Sequence, residues 1–155
     1  VPKPFTPFQW EAQDTIDVLN EKQKFLGSMI KSRHIDYNWH DPKLSFLEAV
    51  MARGDRRVGK VLVKAWEKGC KFDGWSEHFK YDKWLDAFKE CKVDPHFYAN
   101  RKRGSDEVFP WDHIDAGVSK KFLRRENEKA YEGKLSPNCR VACSNCGSGV
   151  FTCEV

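Results

Sequence analysis

The chain has 155 residues, of which 40% are hydrophobic and 14% aromatic, so it can build one cored domain, or a domain with a small satellite. The net charge is +4 with 32% charged residues, which allows nucleic-acid binding but is too weak a basic balance to indicate it. No apolar run reaches the length of a membrane span and the opening lacks the regions of a signal peptide, so we expect a soluble, cytoplasmic protein with no membrane partner.

The first forty residues predict an extended opening, one long helix and one strand. Three prolines in residues 1–12 fix φ and favour extended geometry, and a first residue other than Met indicates a piece of a longer protein. Thr15, or Asp14 before it, can cap a helix whose apolar residues recur at helical spacing to about residue 33. Apolar and polar residues then alternate over residues 35–39, which predicts a strand.

Four further helices are predicted from caps and apolar spacing. Ser45 and Glu48 form a capping-box pattern, in which each side chain bonds the backbone N–H of the other residue. Asp55 can cap the next helix. The predicted ranges are 45–54, 55–69, 81–92 and 119–131. The apolar residues predicted to face inward on the middle two helices are Val58, Val61, Leu62, Ala65, Trp66, Trp84, Leu85 and Phe88.

Histidines with acidic neighbours recur in the long aromatic segments between these helices, where functional residues tend to lie. Imidazole beside carboxylate can act as a general base or as a metal ligand, although such neighbours are more often surface hydrogen-bonding groups. If they act together, they converge on a pocket walled by Trp39, Trp75 and Trp111. The candidate substrate-pocket residues are His40, Asp41, Trp75, Glu77, His78, Trp111, Asp112, His113 and Asp115.

Four cysteines near the C-terminus predict a metal site. Their spacing is C-x3-C-x2-C-x6-C, and glycines at 147 and 149 would let backbone N–H groups approach the sulfurs. Zinc and an iron–sulfur cluster both accept four thiolates, so spacing does not separate them, and unligated thiols are the alternative. Cys70 and Cys91 are interpreted as small buried hydrophobic residues. The candidate metal ligands are Cys139, Cys143, Cys146 and Cys153.

A basic ridge is predicted on one side of the last helix, where four cations recur at i,i+4 spacing. Such a ridge could contact RNA phosphates, although a solvated face is the simpler interpretation at this net charge. The candidate nucleic-acid residues are Lys120, Lys121, Arg124 and Arg125.

A family resemblance covers essentially the whole chain and is carried by several motifs. The opening VPKPFTPFQW resembles the end of the catalytic core in radical S-adenosylmethionine proteins related to the methylthiotransferases. The downstream motifs resemble the C-terminal region of the large members of that group, which carry an N-terminal cobalamin-binding-type domain. These motifs are WHDPKLSFLEAVMARGDRRVGKVL, AWEKGCKFDGWSEHF, WLDAF, PWDHIDAGVSKKFL and NCRVACSNCG.

The resemblance implies a mainly α (α+β) fold. Residues 1–40 would be the last βα piece of a partial radical S-adenosylmethionine barrel, residues 41–133 a helical accessory domain, and residues 134–155 a Cys-rich metal-binding tail. The C-x3-C-x2-C spacing also matches the catalytic-cluster signature of such enzymes, but the nine residues after Cys146 are too few to build the barrel that follows it. The residues placed at the barrel mouth are Pro4, Thr6, Phe8 and Gln9.

The implied function is that of a C-terminal accessory region of a radical S-adenosylmethionine iron–sulfur enzyme, facing substrate, carrying a Cys-ligated metal or auxiliary cluster, and inactive alone. Its partners would be the N-terminal radical S-adenosylmethionine and cobalamin-type domains of the same parent chain. Those domains would hold S-adenosylmethionine and a 4Fe-4S cluster, and allow cobalamin. The family pattern places a fourth cysteine sooner than Cys153, so His113 or solvent is an alternative fourth ligand. The alternative functions are an RNA-binding accessory module and a zinc-stabilised interaction module.

Overall fold

The computed structural model describes residues 1–148, and its regular structure is helical. A short 3₁₀ helix at Pro7–Trp10 precedes the α-helices. The predicted mainly helical fold is confirmed, but the predicted βα barrel piece in residues 1–40 is wrong, because the described residues contain no strand. Within the same range, no helix has the length and apolar character needed to cross a membrane. The α-helices are α1 (Ile16–Met29), α2 (Pro42–Arg53), α3 (Arg56–Glu67), α4 (Tyr81–Glu90), α5 (Pro95–Ala99) and α6 (Lys120–Tyr131).

The chain forms two compact units. The first unit contains residues 12–101 with α1 to α5, and the second combines residues 2–11 with the chain from residue 102 onward. Hydrogen bonds join the two ends of the first unit: Gln13 N–H donates to Ala99 O at 2.9 Å, and Asn100 Nδ2 donates to Gln13 O at 2.9 Å. The divisions predicted after residues 40 and 133 stay predictions.

Each unit has its own hydrophobic core. In the first unit α2 packs against α5 and α3 against α4, and in the second the 3₁₀ helix packs against α6. The second core consists of Trp10, Phe109, Trp111 and Leu123. Its aromatic rings allow a small unit to bury a large apolar area. The first core consists of Phe46, Leu47, Ala49, Val50, Val58, Val61, Ala65, Cys70, Trp84, Ala87, Phe88, Tyr98 and Ala99.

Side-chain caps start three helices where the sequence predicted them. Thr15, Asp55 and Ser119 each accept a backbone N–H from the first turn of α1, α3 and α6, respectively. The cap satisfies one of the N–H groups that a helix start leaves without an internal partner. These helix starts therefore follow from local chemistry.

Helix α2 begins one turn before the predicted capping box. Asp41 Oδ1 accepts two N–H groups of the first turn at 2.8 and 3.0 Å, and Pro42 suits the first helical position because its missing N–H is not needed there. Ser45 therefore lies inside the helix, where its hydroxyl pairs with His40 Nδ1 at 2.7 Å. The predicted start at Ser45 is wrong because the Asp-Pro signal before it takes precedence.

The predicted strand at residues 35–39 is also wrong. A strand needs a partner to complete its backbone hydrogen bonds, and the part of the chain that the structure describes offers none. Tyr37 instead packs over Gly27 of α1 and against Trp39, with 5.1 Å between the two ring centroids. Gln23 Nε2 of α1 donates to the backbone at the end of this segment at 3.1 Å. The segment therefore runs beside α1 without forming a sheet.

The opening was predicted to be extended, and this is wrong for residues 7–10, which form the 3₁₀ helix. Pro7 is the first residue of the 3₁₀ helix, where a fixed φ and a missing N–H are both tolerated. The prolines exclude a helix interior, but they do not exclude a helix start. The turn they permit places Gln9 and Trp10 in buried positions.

The apolar stripes of α3 and α4 are narrower than predicted. Leu62, Trp66 and Leu85 were expected to face inward, but they expose 47%, 62% and 38% of their surface. A helix that packs on one neighbour buries fewer positions than one inside a bundle, and the spacing of apolar residues does not reveal this width. Helix α5 was not predicted, because five residues are too few to show a helical period. The inward positions that are confirmed are Val58, Val61, Ala65, Trp84 and Phe88.

Gly54 lies at a crowded junction between α2 and α3. At Gly54 an added Cβ would lie 2.7 Å from the Val50 carbonyl oxygen and 2.7 Å from a valine methyl of α3, so a larger residue would force the helices apart.

The next residue, Asp55, accepts hydrogen bonds from the Arg57 guanidinium and from the Tyr98 hydroxyl. The bonds from Arg57 hold the pKa of Asp55 at about 2, below its ordinary value of 3.8.

We predict that Phe46→Ala lowers the free energy of unfolding by about 3–5 kcal/mol, because it removes a ring that is 1% exposed and leaves a cavity. The matched control is Phe25→Ala in the same unit, whose ring is 63% exposed and whose loss should change stability by less than about 0.5 kcal/mol. Urea unfolding followed by circular dichroism measures both. Equal losses in the two variants would contradict the assigned core.

Asp55→Asn should lower stability at neutral pH, and the difference from the wild type should shrink as the pH falls. The folded pKa of Asp55 lies below its unfolded value, so the ion pair stabilises above pH 3.8 and is lost as the pH falls towards about 2. The Asn amide oxygen can keep the helix cap, while the charge and the hydrogen bonds that Oδ2 accepts from Arg57 are removed. Melting temperatures of both proteins across this acid range provide the measurement. A difference that is independent of pH would disprove the ion-pair contribution.

Candidate functional site

The second unit contains a buried hydrogen bond between residues 102 positions apart. Gln9 is 2% exposed, and its Oε1 accepts the Trp111 indole N–H at 3.0 Å and the Phe5 backbone N–H at 3.1 Å. The sequence predicted Gln9 at a barrel mouth and Trp111 in a pocket wall. The two residues, which belonged to separate predicted sites, are in direct contact in the structure.

An aromatic cluster with a buried cation surrounds this bond. The Phe109 ring centroid lies 6.0 Å from that of Trp10 and 4.9 Å from that of Trp111. The Arg103 guanidinium lies 5.5 Å from the Phe109 centroid and 5.3 Å from the Trp111 centroid, and Arg103 is 5% exposed. The ring faces replace part of the hydration that the buried charge loses. Sequence reasoning missed this role of Arg103.

Glu11 connects the opening segment to the last turns of α6. Its carboxylate accepts hydrogen bonds from the Tyr131 hydroxyl at 2.6 Å and from Asn127 Nδ2 at 3.0 Å. Burial by itself would raise the pKa of Glu11, but these hydrogen bonds and the charge of Lys102 outweigh it and lower the pKa. The carboxylate is therefore a structural anion that holds the second unit together.

A cavity of about 420 Å³ opens beside the Gln9–Trp111 bond. Its wall combines apolar side chains with polar groups that the sequence had assigned to three different sites. Gln9 comes from the barrel-mouth prediction, three residues come from the histidine–acid clusters, and Lys120 comes from the basic ridge. The polar residues that line the cavity are Gln9, Asp112, His113, Asp115 and Lys120.

Two of these acids have structural partners. Asp112 Oδ2 accepts Lys120 Nζ at 2.7 Å and the Phe109 N–H at 2.9 Å, while Lys120 also donates to the Glu107 carbonyl at 3.0 Å. Asp115 closes a turn by accepting the backbone N–H two residues later. Within the described residues, His113 has no hydrogen-bond partner and is exposed. His113 is therefore the cavity-lining group of its cluster that is free to meet a ligand.

The remaining predicted pocket residues lie in the first unit and have local partners. His40 pairs with Ser45, and Asp41 caps α2. The ring centroids of His78 and Phe72 lie 6.2 Å apart, and Glu77 and Trp75 are exposed in the same loop. The proposed convergence of all three clusters on one pocket stays a prediction.

The predicted basic ridge on α6 is largely occupied by contacts within the second unit. Lys120 is held by Asp112, and the Arg124 guanidinium donates to the Ser105 carbonyl. Arg125 donates to the Ser144 carbonyl and lies 3.7 Å from the Glu126 carboxylate. Lys121 is exposed and has no ion-pair partner among the described residues. RNA binding by this ridge stays a prediction.

The cysteine segment forms a tight turn at Cys143 and Cys146. The Asn145 backbone N–H points at Cys143 Sγ, with 3.4 Å between nitrogen and sulfur. Asn145 has φ +50° and Gly147 φ +89°, so the backbone reverses on both sides of Cys146. Cys139, four residues earlier, is exposed. We refer to residues 143–147 as the cysteine turn.

The cysteine turn is fastened to the start of α6. The Ser119 N–H donates to the Cys146 carbonyl at 2.8 Å, and the Arg125 guanidinium donates to the Ser144 carbonyl. An added Cβ at Gly147 would lie 3.0 Å from Ser119 Cβ, so this approach requires glycine. The cysteine turn, within the segment predicted to be a metal-binding tail, is thus bonded to the rest of the second unit.

Metal binding by the four cysteines stays a prediction. In residues 1–148 no group of three or more His, Cys, Asp or Glu side chains is close enough to hold a metal ion, and Cys153 lies outside the described residues. Cys70 is buried as predicted, and burial raises the pKa of its thiol. The barrel-mouth roles of Pro4, Thr6 and Phe8 stay predictions. In the structure Thr6 Oγ1 donates to a nearby backbone carbonyl, and Phe8 is 51% exposed.

A comparison of the chain with protein-family models, with curated proteins and with solved structures finds no match. The chemistry of the cavity and of the cysteine turn therefore has to be argued from their own residues.

Gln9→Leu should lower the free energy of unfolding by about 2 kcal/mol, because it leaves the Trp111 and Phe5 donors buried without an acceptor. The neighbouring variant Phe8→Ala removes an exposed ring and should change stability by less than about 0.5 kcal/mol. Unfolding in urea, followed by tryptophan fluorescence, distinguishes them. A Gln9→Leu protein as stable as the wild type would show that the buried bond is not required.

Proposed function

We propose that this chain is the helical accessory region of a radical S-adenosylmethionine enzyme and that its cysteine turn binds a metal ion or an auxiliary iron–sulfur cluster. One observation carries the metal: the Asn145 N–H is directed at Cys143 Sγ within a C-x2-C turn that Gly147 closes in a left-handed conformation. The motif resemblance, which includes NCRVACSNCG, supports the assignment to this enzyme class.

The turn geometry suits thiolate ligands for an electrostatic reason. A cysteine must lose its proton to bind a metal, and the negative charge on sulfur is stabilised by nearby N–H donors. The Asn145 N–H is such a donor, and positive φ values on either side of Cys146 let the backbone curl around a centre held by Cys143 and Cys146. Cys139 and Cys153 would complete the set, with His113 or solvent as alternative ligands.

The position of the turn supports a role that faces substrate. Ser119 holds the Cys146 carbonyl, and the residues on either side of Ser119, Val118 and Lys120, line the 420 Å³ cavity. The turn that would hold the metal and the cavity that would hold a ligand therefore both adjoin the start of α6. His113 would supply a hydrogen bond to such a ligand, beside the Lys120–Asp112 ion pair.

The radical chemistry would belong to the N-terminal domains of the parent chain, which would hold S-adenosylmethionine, the 4Fe-4S cluster and any cobalamin. When bound in the cysteine turn, zinc would supply a closed structural centre, and a cluster would supply an electron-transfer centre. The residues of this chain bind and orient, and we assign no bond-breaking step to them. Purified protein is therefore expected not to cleave S-adenosylmethionine reductively.

Protein purified without oxygen is expected to carry metal in the cysteine turn. Cys143→Ser should remove most of it, whereas Cys91→Ser, a matched change at a half-buried cysteine of the first unit, should retain it. Iron, sulfide and zinc analysis with a visible absorption spectrum gives the readout. Iron with sulfide supports an auxiliary cluster, and zinc alone favours the zinc-stabilised interaction module. No metal, or equal metal in both variants, would contradict the proposal.

Gly147→Ala should weaken metal binding without removing a ligand. Alanine is strained at φ +89°, and its Cβ would lie 3.0 Å from Ser119 Cβ, so the turn would have to leave α6. Gly104→Ala in the same unit, where an added Cβ meets no atom within 4 Å, is the control. Chelator competition measures the affinity. Unchanged binding in Gly147→Ala would show that attachment to α6 is not part of the site.

A further inference from the structure

We propose that the first unit binds single-stranded nucleic acid on a surface formed by α3 and the loop that follows it. This binding site goes beyond the proposed function, which concerns only the second unit. We call it the aromatic–basic surface. It is defined by Arg56, Lys60, Trp66, Lys71, Phe72 and Trp75.

Three large aromatic rings lie exposed within ten residues on this surface. Trp66, Phe72 and Trp75 leave 62%, 69% and 60% of their surface in contact with solvent. Rings of this size normally fill cores, as Phe46 does in the same unit, so a cluster of exposed rings indicates a surface that is covered by a ligand. Phe72 also has φ +60°, a conformation that costs energy for a bulky residue and that keeps its ring outside the core.

The mutual geometry of two of these rings leaves faces open for stacking. Phe72 and Trp75 meet edge to face, with 6.2 Å between centroids and 73° between planes, which leaves ring faces uncovered. Lys71 Nζ lies 5.5 Å from the Trp66 centroid, so a cation accompanies an exposed ring. Stacking of bases on aromatic faces beside cations is how proteins bind single strands without reading their sequence.

The charge of this region matches a polyanion. Residues 56–83 contain eight Lys and Arg and four Asp and Glu, so their net charge of +4 equals that of the whole chain. Within the described residues, Arg56, Lys60 and Lys71 are exposed and lack a carboxylate partner. The other five cations of this range are held by carboxylates or backbone carbonyls, as most cations of the α6 ridge are. Unpaired positive charge thus accompanies an exposed ring at Lys71, and Arg56 and Lys60 lie on the same helix as Trp66.

A single strand fits these features better than a membrane or a duplex. An anionic bilayer would have to accommodate Glu77, which is exposed in the same loop, and the tilted Phe72 and Trp75 rings do not form one flat apolar face. A duplex hides the faces of its bases, so it would use the cations but not the rings. Single strands use both.

The test measures binding of the whole chain to fluorescein-labelled oligo(U) and oligo(dT) by fluorescence anisotropy at low salt. Trp66→Ala, Phe72→Ala and Trp75→Ala should each weaken binding at least about fivefold. The double variant Arg56→Gln/Lys60→Gln should make binding less dependent on salt. The slope of the logarithm of affinity against the logarithm of salt concentration should fall by the amount expected for the loss of about one to two phosphate contacts. All of these residues are exposed, and circular dichroism checks that each variant is folded.

Two matched controls lie on the same unit outside this surface. Trp39→Ala removes a ring that is 60% exposed, and Lys24→Gln removes an exposed cation of α1, and both variants should bind as the wild type does. No oligonucleotide binding would overturn the proposal, as would ring variants that bind normally. Binding only to duplexes, only to phosphatidylserine vesicles, or lost only in Lys121→Glu/Arg125→Glu would equally overturn it. These variants should carry as much metal as the wild type, whether or not they bind oligonucleotides. Metal analysis therefore tests the proposed function separately.

Discussion

The second unit depends on the hydrogen bond from the Trp111 indole to Gln9, because it connects two segments that are remote in sequence. Around it, the Arg103 guanidinium lies over the rings of Phe109 and Trp111. Glu11 accepts hydrogen bonds from Tyr131 and Asn127. The 420 Å³ cavity has Gln9 in its wall. A glutamine suits this position because its neutral amide can be buried, whereas a carboxylate at the same place would carry a desolvated charge. A residue in the cavity wall is thus also a structural hydrogen-bond acceptor.

How far the sequence could predict the fold depended on how local each signal was. Thr15, Asp55 and Ser119 act within one helical turn, so their caps could be identified from the residues themselves. Residues 35–39 alternate as a strand would, but a strand is a property of two segments, and the sequence holds no information on a partner. The predicted width of the buried stripe on α3 was wrong for the same reason, because the exposure of Trp66 depends on what packs beside it.

The candidate site could be predicted only in pieces. Spacing identified the cysteine turn, because C-x2-C with a following glycine is a local pattern. Spacing could not join Gln9, His113 and Lys120, which had belonged to three separate hypotheses and share one cavity wall. The basic ridge shows the opposite case. The i,i+4 spacing placed Arg124 beside Lys120 and Arg125 beside Lys121, but the backbone carbonyls that accept hydrogen bonds from the two arginines come from other segments. Charge counts do not reveal which charges are already used.

The hydrogen bonds of Gln13 with Ala99 and Asn100 have a consequence for the order of folding. The second unit is made of two segments separated by residues 12–101, and closing so long a disordered loop would cost about 4 kcal/mol in chain entropy. Once the first unit has folded, these bonds hold its two ends side by side, and the loop that remains is short. We therefore expect the first unit to fold as an insertion that precedes the second, and contacts such as Gln9 with Trp111 to form late.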